Sequence, residues 1–197
     1  SKFSVENNKL YRIADKTEVS LASPMQTSVA MICGKELESG AKMKMISELT
    51  ATHDKVLCVH VPWLLVEAEP EIYNEELLAS LRDFLKEIEK SGLYAIIVPE
   101  SDADSCPVPL LCYNKINSDS AQLFIAAMKH TARRIKDCES VIGFAVPKEL
   151  FADTSAAADY MSELSLKHDN YLFFVKKTEV ENSCAFAAIA KTKIVLY

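Results

Sequence analysis

The chain has 197 residues, with 22 Lys and Arg against 28 Asp and Glu for a net charge of −6 and a pI near 5.3. Hydrophobic residues make up 49% of it, enough to bury a core, which excludes a disordered chain. No apolar run approaches the ~20 residues that cross a bilayer, and an acidic chain without gathered Lys and Arg suits nucleic acid poorly.

A single domain over residues 1–197 is expected at this length. The opening Ser1-Lys2-Phe3-Ser4 does not read as a secretory leader. Phe3-Ser4-Val5 and Leu10-Tyr11-Arg12-Ile13, separated by the polar Glu6-Asn7-Asn8-Lys9, predict a β-hairpin. Glu18-Val19-Ser20-Leu21-Ala22 follows a second polar turn and reads as a first strand, so residues 1–22 form hairpin plus strand. Ser39 is placed to cap a helix reaching about Leu49.

Next comes Lys55-Val56-Leu57-Cys58-Val59-His60-Val61-Pro62, an apolar run of strand length. A loop from Trp63 to Asn74 leads into a helix whose Leu77, Leu78, Leu81, Phe84, Leu85 and Ile88 make one stripe at helical period. Gly92 stands where a left-handed stop is needed, and Leu93–Val98 is the next strand, closed by Pro99. The pattern repeats with a helix near Ser120–Lys136, the strand Val141–Val146, a helix near Ser155–Lys167 and the strand Tyr171–Val175. A short Ala-rich helix about Cys184–Ala190 and a strand at Ile194–Leu196 close the chain. Strands that are apolar throughout, with helices between them, predict a parallel sheet covered on both faces. The expected fold is α/β, with about six strands, and the choice lies between an incomplete (β/α) barrel and an open doubly wound sheet.

The six cysteines contain no C-x-x-C pair, so neither a zinc ribbon nor a thioredoxin motif is expected. Cys106 and Cys112 share a Pro-rich loop and are the one pair close enough for a local disulfide; unpaired thiols lean towards a reducing, cytoplasmic setting. His53, His130 and His168 lack ligand spacing, so no metal is expected. His60, inside an apolar strand, reads as a hydrogen-bonded core residue. Four glycines cannot build a phosphate-cradling loop, and G-x-S-x-G is absent. No cofactor is implied.

In parallel α/β folds the working residues lie at the carboxyl ends of strands. Those positions hold Trp63, Glu67 and Glu69, then Glu100, Asp102 and Asp104, then Lys148 and Glu149, then Lys176, Lys177 and Glu179. Recurring carboxylates on one rim are what glycoside hydrolysis needs, one as acid and one as nucleophile or base. Trp63 offers an aromatic face for a pyranose ring.

Val61-Pro62-Trp63, Glu69-Pro70, Tyr73, the amphipathic helix and Ser91-Gly92-Leu93-Tyr94-Ala95-Ile96-Ile97 together resemble the second-to-third strand region of cellulase-like glycoside hydrolases, family five and its clan. Val141 to Leu150 is similar to their fourth strand, which ends in Asn-Glu-Pro with the Glu as acid/base. The resemblance spans roughly residues 3–150. It implies a TIM-type barrel with Glu149 as acid and a carbohydrate at the carboxyl rim, where Trp63, Glu69, Tyr73 and Lys148 stand; an active enzyme would recruit Glu100 or Glu179 as its second carboxylate. It also implies departures. The family's Asn falls on Lys148, its Pro on Leu150, its second-strand Arg on Cys58 and its third-strand His near Glu100 or Ser101. The family's nucleophile belongs to a seventh strand, and the pattern here ends at the sixth. An acid without a partner carboxylate cannot run double displacement.

The reading is a catalytically degenerate glycoside-hydrolase-like domain binding carbohydrate or a partner at the carboxyl rim. An active retaining glycosidase and an assembly module that dimerises across the open barrel edge are the alternatives. All of these expect Glu149 and Trp63 to face one cleft.

Overall fold

The computed structural model describes residues 2–21, 24–33, 39–51, 55–101, 116, 119–152, 154–166, 168–180 and 193–197. Strands β1 (Phe3–Glu6) and β2 (Lys9–Arg12) form the predicted hairpin, with Phe3 opposite Arg12 and Glu6 opposite Lys9. Asn7 and Asn8 turn it at φ 51° and 61°, the left-handed pair that matches strand twist and that Asn tolerates best after Gly.

The first strand of the main sheet is β3 (Met25–Ser28), not the expected run at Glu18–Ala22. That run makes only a bridge from Glu18 to Tyr11. Its Val19 and Leu21 are nonetheless buried, because they pack on the sheet rather than join it. Helices α1 (Val29–Cys33) and α2 (Ser39–Thr50) follow, then β4 (Val56–Pro62). The expected Trp63–Asn74 loop is structured: α3 (Trp63–Val66) and a small hairpin of β5 (Glu67–Glu69) and β6 (Ile72–Tyr73). Helix α4 (Glu75–Lys90) starts where the Asn74 side chain accepts from Leu77 N–H at 3.1 Å and stops before Gly92, at φ 70°.

Strand β7 (Tyr94–Glu100) runs through Pro99 rather than ending before it. Helix α5 (Ala121–Arg134), strand β8 (Val141–Ala145), a 3₁₀ turn at Lys148–Ala152 and helix α6 (Thr154–Ser165) come next. They are followed by β9 (Leu172–Val175), α7 (Lys177–Val180) and β10 (Ile194–Leu196). The Cys106–Cys112 pairing, Asp102 and Asp104, and the helix expected over Cys184–Ala190 lie outside the described residues.

The six main strands pair in the order β3-β4-β7-β8-β9-β10, every pair parallel. Strand order follows chain order without a reversal, and right-handed crossovers then put every helix on the same face. A doubly wound sheet would reverse and divide its helices between both faces; this sheet is the partial barrel. Leu57, Val59, Ala95, Ile97, Phe144 and Phe173 belong to one buried cluster with the helices. Val56, Cys58, Ile96, Ile142, Leu172 and Phe174 belong to a second with Phe3, Leu10, Val19 and Leu21. The hairpin and lead-in thus fill the concave side. Asn8 also covers the outer edge of β10, its Nδ2 donating to Ile194 O at 3.0 Å and its carbonyl accepting from Leu196 N–H at 2.8 Å. Among the described residues no helix is long and apolar enough to cross a membrane.

Gly143 in β8 lies opposite Leu172 in β9, and a Cβ there would overlap the Leu172 carbonyl. Gly143→Ala must push β9 away from β8, so it is expected to cost at least about 3 kcal/mol. A urea midpoint equal to wild type would rule out the close approach. On the outer surface the Arg82 guanidinium grips Asp137 at 3.1 and 2.6 Å. That grip holds the Asp137 carboxyl down to about 2, below the ordinary value of 3.8. A carboxyl lowered on folding stabilises the fold above its unfolded value and loses that contribution as pH falls towards the folded one. The stability gap between wild type and Arg82→Gln, small for so exposed a pair, is expected to hold steady above about pH 5 and to close between about pH 4 and pH 2. Urea titrations across that range check it.

Candidate functional site

A cavity of about 380 Å³ opens at the carboxyl end of the sheet. Its chemistry-bearing walls are His60, Glu100, Lys148, Glu149, Lys176 and Tyr197. The volume falls within the range of small-ligand sites. Alternation along the strands explains who lines it. Cys58 of β4 and Ile96 of β7 are in the concave cluster, with Val98 packed against it; His60 and Glu100 continue those two rows upward by steps of two.

His60 is the hub of this rim. Its Nδ1 stands 2.5 Å from Glu100 Oε1, and its Nε2 stands 2.6 Å from Gln26 Oε1. Gln26 Nε2 donates to Pro24 O at 3.0 Å, which turns the amide oxygen towards the ring. Side chains of β3, β4 and β7 are therefore tied across the rim by one imidazole. The expectation of a core histidine is corrected: His60 is half-buried and lines the cavity. One turn of β4 below, Cys58 is 5% exposed, and burial pushes its thiol up to about 11, with a Gln26 hydrogen bond opposing. A thiol so placed stays protonated and is neither a nucleophile nor a cation.

Glu149 sits on the 3₁₀ turn after β8. The turn is pinned from both sides. Leu150 is buried, its N–H donates to Pro147 O at 3.1 Å, and Val146 N–H donates to Phe174 O at 2.9 Å. Tyr160 of α6 reaches under it and donates to Ala145 O at 3.2 Å. The half-buried Glu149 and exposed Lys148 are thereby held at the mouth. Lys176 follows β9, where Tyr197 N–H donates to Val175 O at 3.1 Å and Lys177 N–H donates to Tyr197 O at 2.9 Å. Among the described residues no group of three His, Cys, Asp or Glu is arranged to hold a metal ion.

The structure brings Glu149, Glu100 and Lys148 to one cavity and leaves Trp63, Glu69 and Tyr73 out of it. Trp63 is 2% exposed, its ring edge-to-face with Phe124 at 5.5 Å. Its indole N–H donates to Glu67 Oε2 at 2.6 Å, and Glu67 Oε1 accepts from Glu71 N–H at 2.7 Å. The expected sugar platform is a buried anchor facing the helices, and it does not share a cleft with Glu149. Tyr73 stacks on His130 at 4.0 Å, and His130 Nε2 meets Glu75 Oε1 at 2.7 Å, so its place is on the helix layer. Glu69 is exposed on the small hairpin. Lys176, expected at a strand end, joins the site, and His60 and Tyr197 join it without having been singled out for it.

No protein-family model matches the chain, and no curated protein matches its sequence. Solved structures do match in fold. Endo-glycoceramidase II from Rhodococcus sp., in a cellobiose-like imidazole complex, aligns with a TM-score of 0.58 at 10% identity over 78% of this chain and 48% of its own. A GH5_18 enzyme from Streptomyces cattleya, in complex with Manb1-4GlcNAc, aligns at 0.56 and 10% identity over 78% of this chain and 45% of its own. Endoglucanase Cel5A from Pseudomonas stutzeri aligns at 0.52 and 13% identity over 68% of this chain and 41% of its own. The chain therefore has the fold of part of a family five glycoside hydrolase barrel and spans about half the length of these relatives.

Replacing Glu67 by Leu strands the buried donor Trp63 Nε1–H and frees Glu71 N–H at the part-buried edge of the same site. The expected loss is about 1–3 kcal/mol. Trp63 is the sole tryptophan, so its fluorescence during urea unfolding reads the change directly. An unchanged midpoint would show that the carboxylate is not holding the indole.

Proposed function

We propose that this chain is a glycoside-hydrolase-like domain that binds carbohydrate at the carboxyl rim of its sheet and hydrolyses it poorly or not at all. The observation that carries the proposal is the position of Glu149. It lines a cavity of about 380 Å³ at the carboxyl rim of a sheet whose fold is that of family five glycosidases. It also stands where the fourth-strand resemblance puts the acid/base. Sugar hydroxyls are met there by two carboxylates, an imidazole and a phenol, a polar lining on a concave rim.

Several features support weak catalysis. Glu100 lines the same cavity but is engaged by His60, whereas a retaining nucleophile must be free to attack at about 5–5.5 Å from the acid. Lys148 replaces the Asn that precedes the acid in the resemblance, and Cys58, a protonated thiol, replaces the Arg. The proposal includes pairing of two chains across the open side of the sheet. The outer edge of β3, without a strand partner among the described residues, and the adjacent Met31, 58% exposed, support that part.

The experiment sets wild type beside Glu149→Gln, using p-nitrophenyl β-glucoside for turnover and a glycan array for binding. Wild type is expected to retain glycans without releasing p-nitrophenol above buffer, and Glu149→Gln to weaken retention about tenfold, the loss of one charge-assisted hydrogen bond. Hydrolysis abolished by Glu149→Gln would make the chain an active glycosidase with Glu149 as acid/base. The absence of both binding and hydrolysis would sink the proposal.

A further inference from the structure

We propose that the rim cavity selects acidic sugars, those carrying a carboxylate or sulfate, with Lys148 and Lys176 as the recognising cations. The inference rests on the carbohydrate reading above and narrows it to a ligand class.

Charge bookkeeping at the cavity motivates it. The lining holds two lysines, two glutamates and one histidine. Glu100 has its partner in His60 at 2.5 Å. Lys148, Lys176 and Glu149 make no ion pair or hydrogen bond with one another or with any other described side chain. Lys2, Lys9, Lys44, Lys86, Lys129 and Lys193 have carboxylate partners whereas Lys16, Lys90, Lys136 and Lys177 do not, so what sets Lys148 and Lys176 apart is their place on the cavity wall. Among the described residues, two cations therefore face the cavity against one unengaged carboxylate.

That composition suits one class of small molecule. A neutral sugar gives the lysines nothing but hydroxyls, which water supplies equally well. A simple anion gives Glu149 a like charge and no donor. An acidic sugar satisfies both: its anionic group meets the ammonium groups, and its hydroxyls donate to Glu149. The cavity is large enough for such a unit. The lysines leave from anchored backbone, Lys148 from the turn fixed by buried Leu150 and Lys176 from between the Tyr197 hydrogen bonds to residues 175 and 177. Their stems thus start from set points, and only the flexible ends must be ordered on binding.

Three trisaccharides of the same β-1,4 backbone test the idea by calorimetry at low salt: cellotriose, its glucuronic acid counterpart and its 6-O-sulfated counterpart. At least one acidic trimer is expected to bind tenfold or more tighter than cellotriose. The preference is expected to fall towards unity in Lys148→Gln/Lys176→Gln and to shrink as NaCl is raised, as exposed charge contacts do. Which acidic trimer binds distinguishes carboxylate from sulfate. Equal affinity for all three would overturn the inference and leave the carbohydrate reading intact. An acidic preference that survives the double substitution would overturn the role of the lysines. Binding by none of the three would remove both. Since both lysines are exposed, circular dichroism of the variant is expected to match wild type, so loss of preference is not loss of fold.

Discussion

A parallel sheet hydrogen-bonded in chain order imposes an asymmetry on everything around it. Each right-handed crossover returns its helix to the same face, so α1, α2, α4, α5 and α6 crowd one side and none reaches the other. In a closed barrel the far side is filled by the strands' own side chains meeting across the axis. Six strands do not bring enough side chains across, and here the concave face is filled from below by Phe3, Leu10, Val19 and Leu21. The hairpin is accordingly part of the core rather than an ornament at the terminus. Phe3 packs edge-to-face on Tyr94 at 4.7 Å, and Asn8 closes the edge of β10.

Polar chemistry collects at the carboxyl rim for a geometric reason. Along β4 and β7 the inward rows run from apolar residues at the bottom to His60 and Glu100 at the top. Below, the concave residues meet the lead-in and must be apolar; at the rim His60 and Glu100 line the cavity, and polar groups are tolerated there if partnered. The Gln26–His60–Glu100 chain partners them across three strands. Rigidity at the rim comes from hydrogen bonds between side chains there as much as from the ladder beneath.

Much of this was legible in the sequence, and the exceptions have physical causes. Apolar runs gave β4, β7, β8 and β9, because strands covered on both faces cannot hide polar residues. The first strand was misplaced because β3, Met25-Gln26-Thr27-Ser28, is an edge strand and needs no apolar run, whereas Val19 and Leu21 alternate for burial without entering the ladder. Trp63 was misdirected because an aromatic residue after a strand end can turn either to the cleft or to the helices. The Glu four residues on, at Glu67, was the available signal, a short-range partner for the indole. His60 was recoverable too: it lies two residues after Cys58, on the same side of β4, with a carboxylate at the matching top of β7. The pairing of Glu100 with His60 was beyond the sequence, since it depends on register between strands 40 residues apart.

Under the proposed function, the rim of this sheet would serve binding without efficient hydrolysis. Hydrolysis by two carboxylates is sensitive to each partner's freedom and to the spacing between them. Binding asks for less: donors, acceptors and charges in a sheltered concavity. Under the proposed function, tying Glu100 to an imidazole and setting a lysine beside Glu149 would alter the first set of requirements and leave the second met. The fold supplies the concavity from the curl of the sheet and the pinning of the 148–152 turn, neither of which depends on the catalytic constellation. A sheet whose concave face is already filled can therefore change its rim residues at little cost to stability.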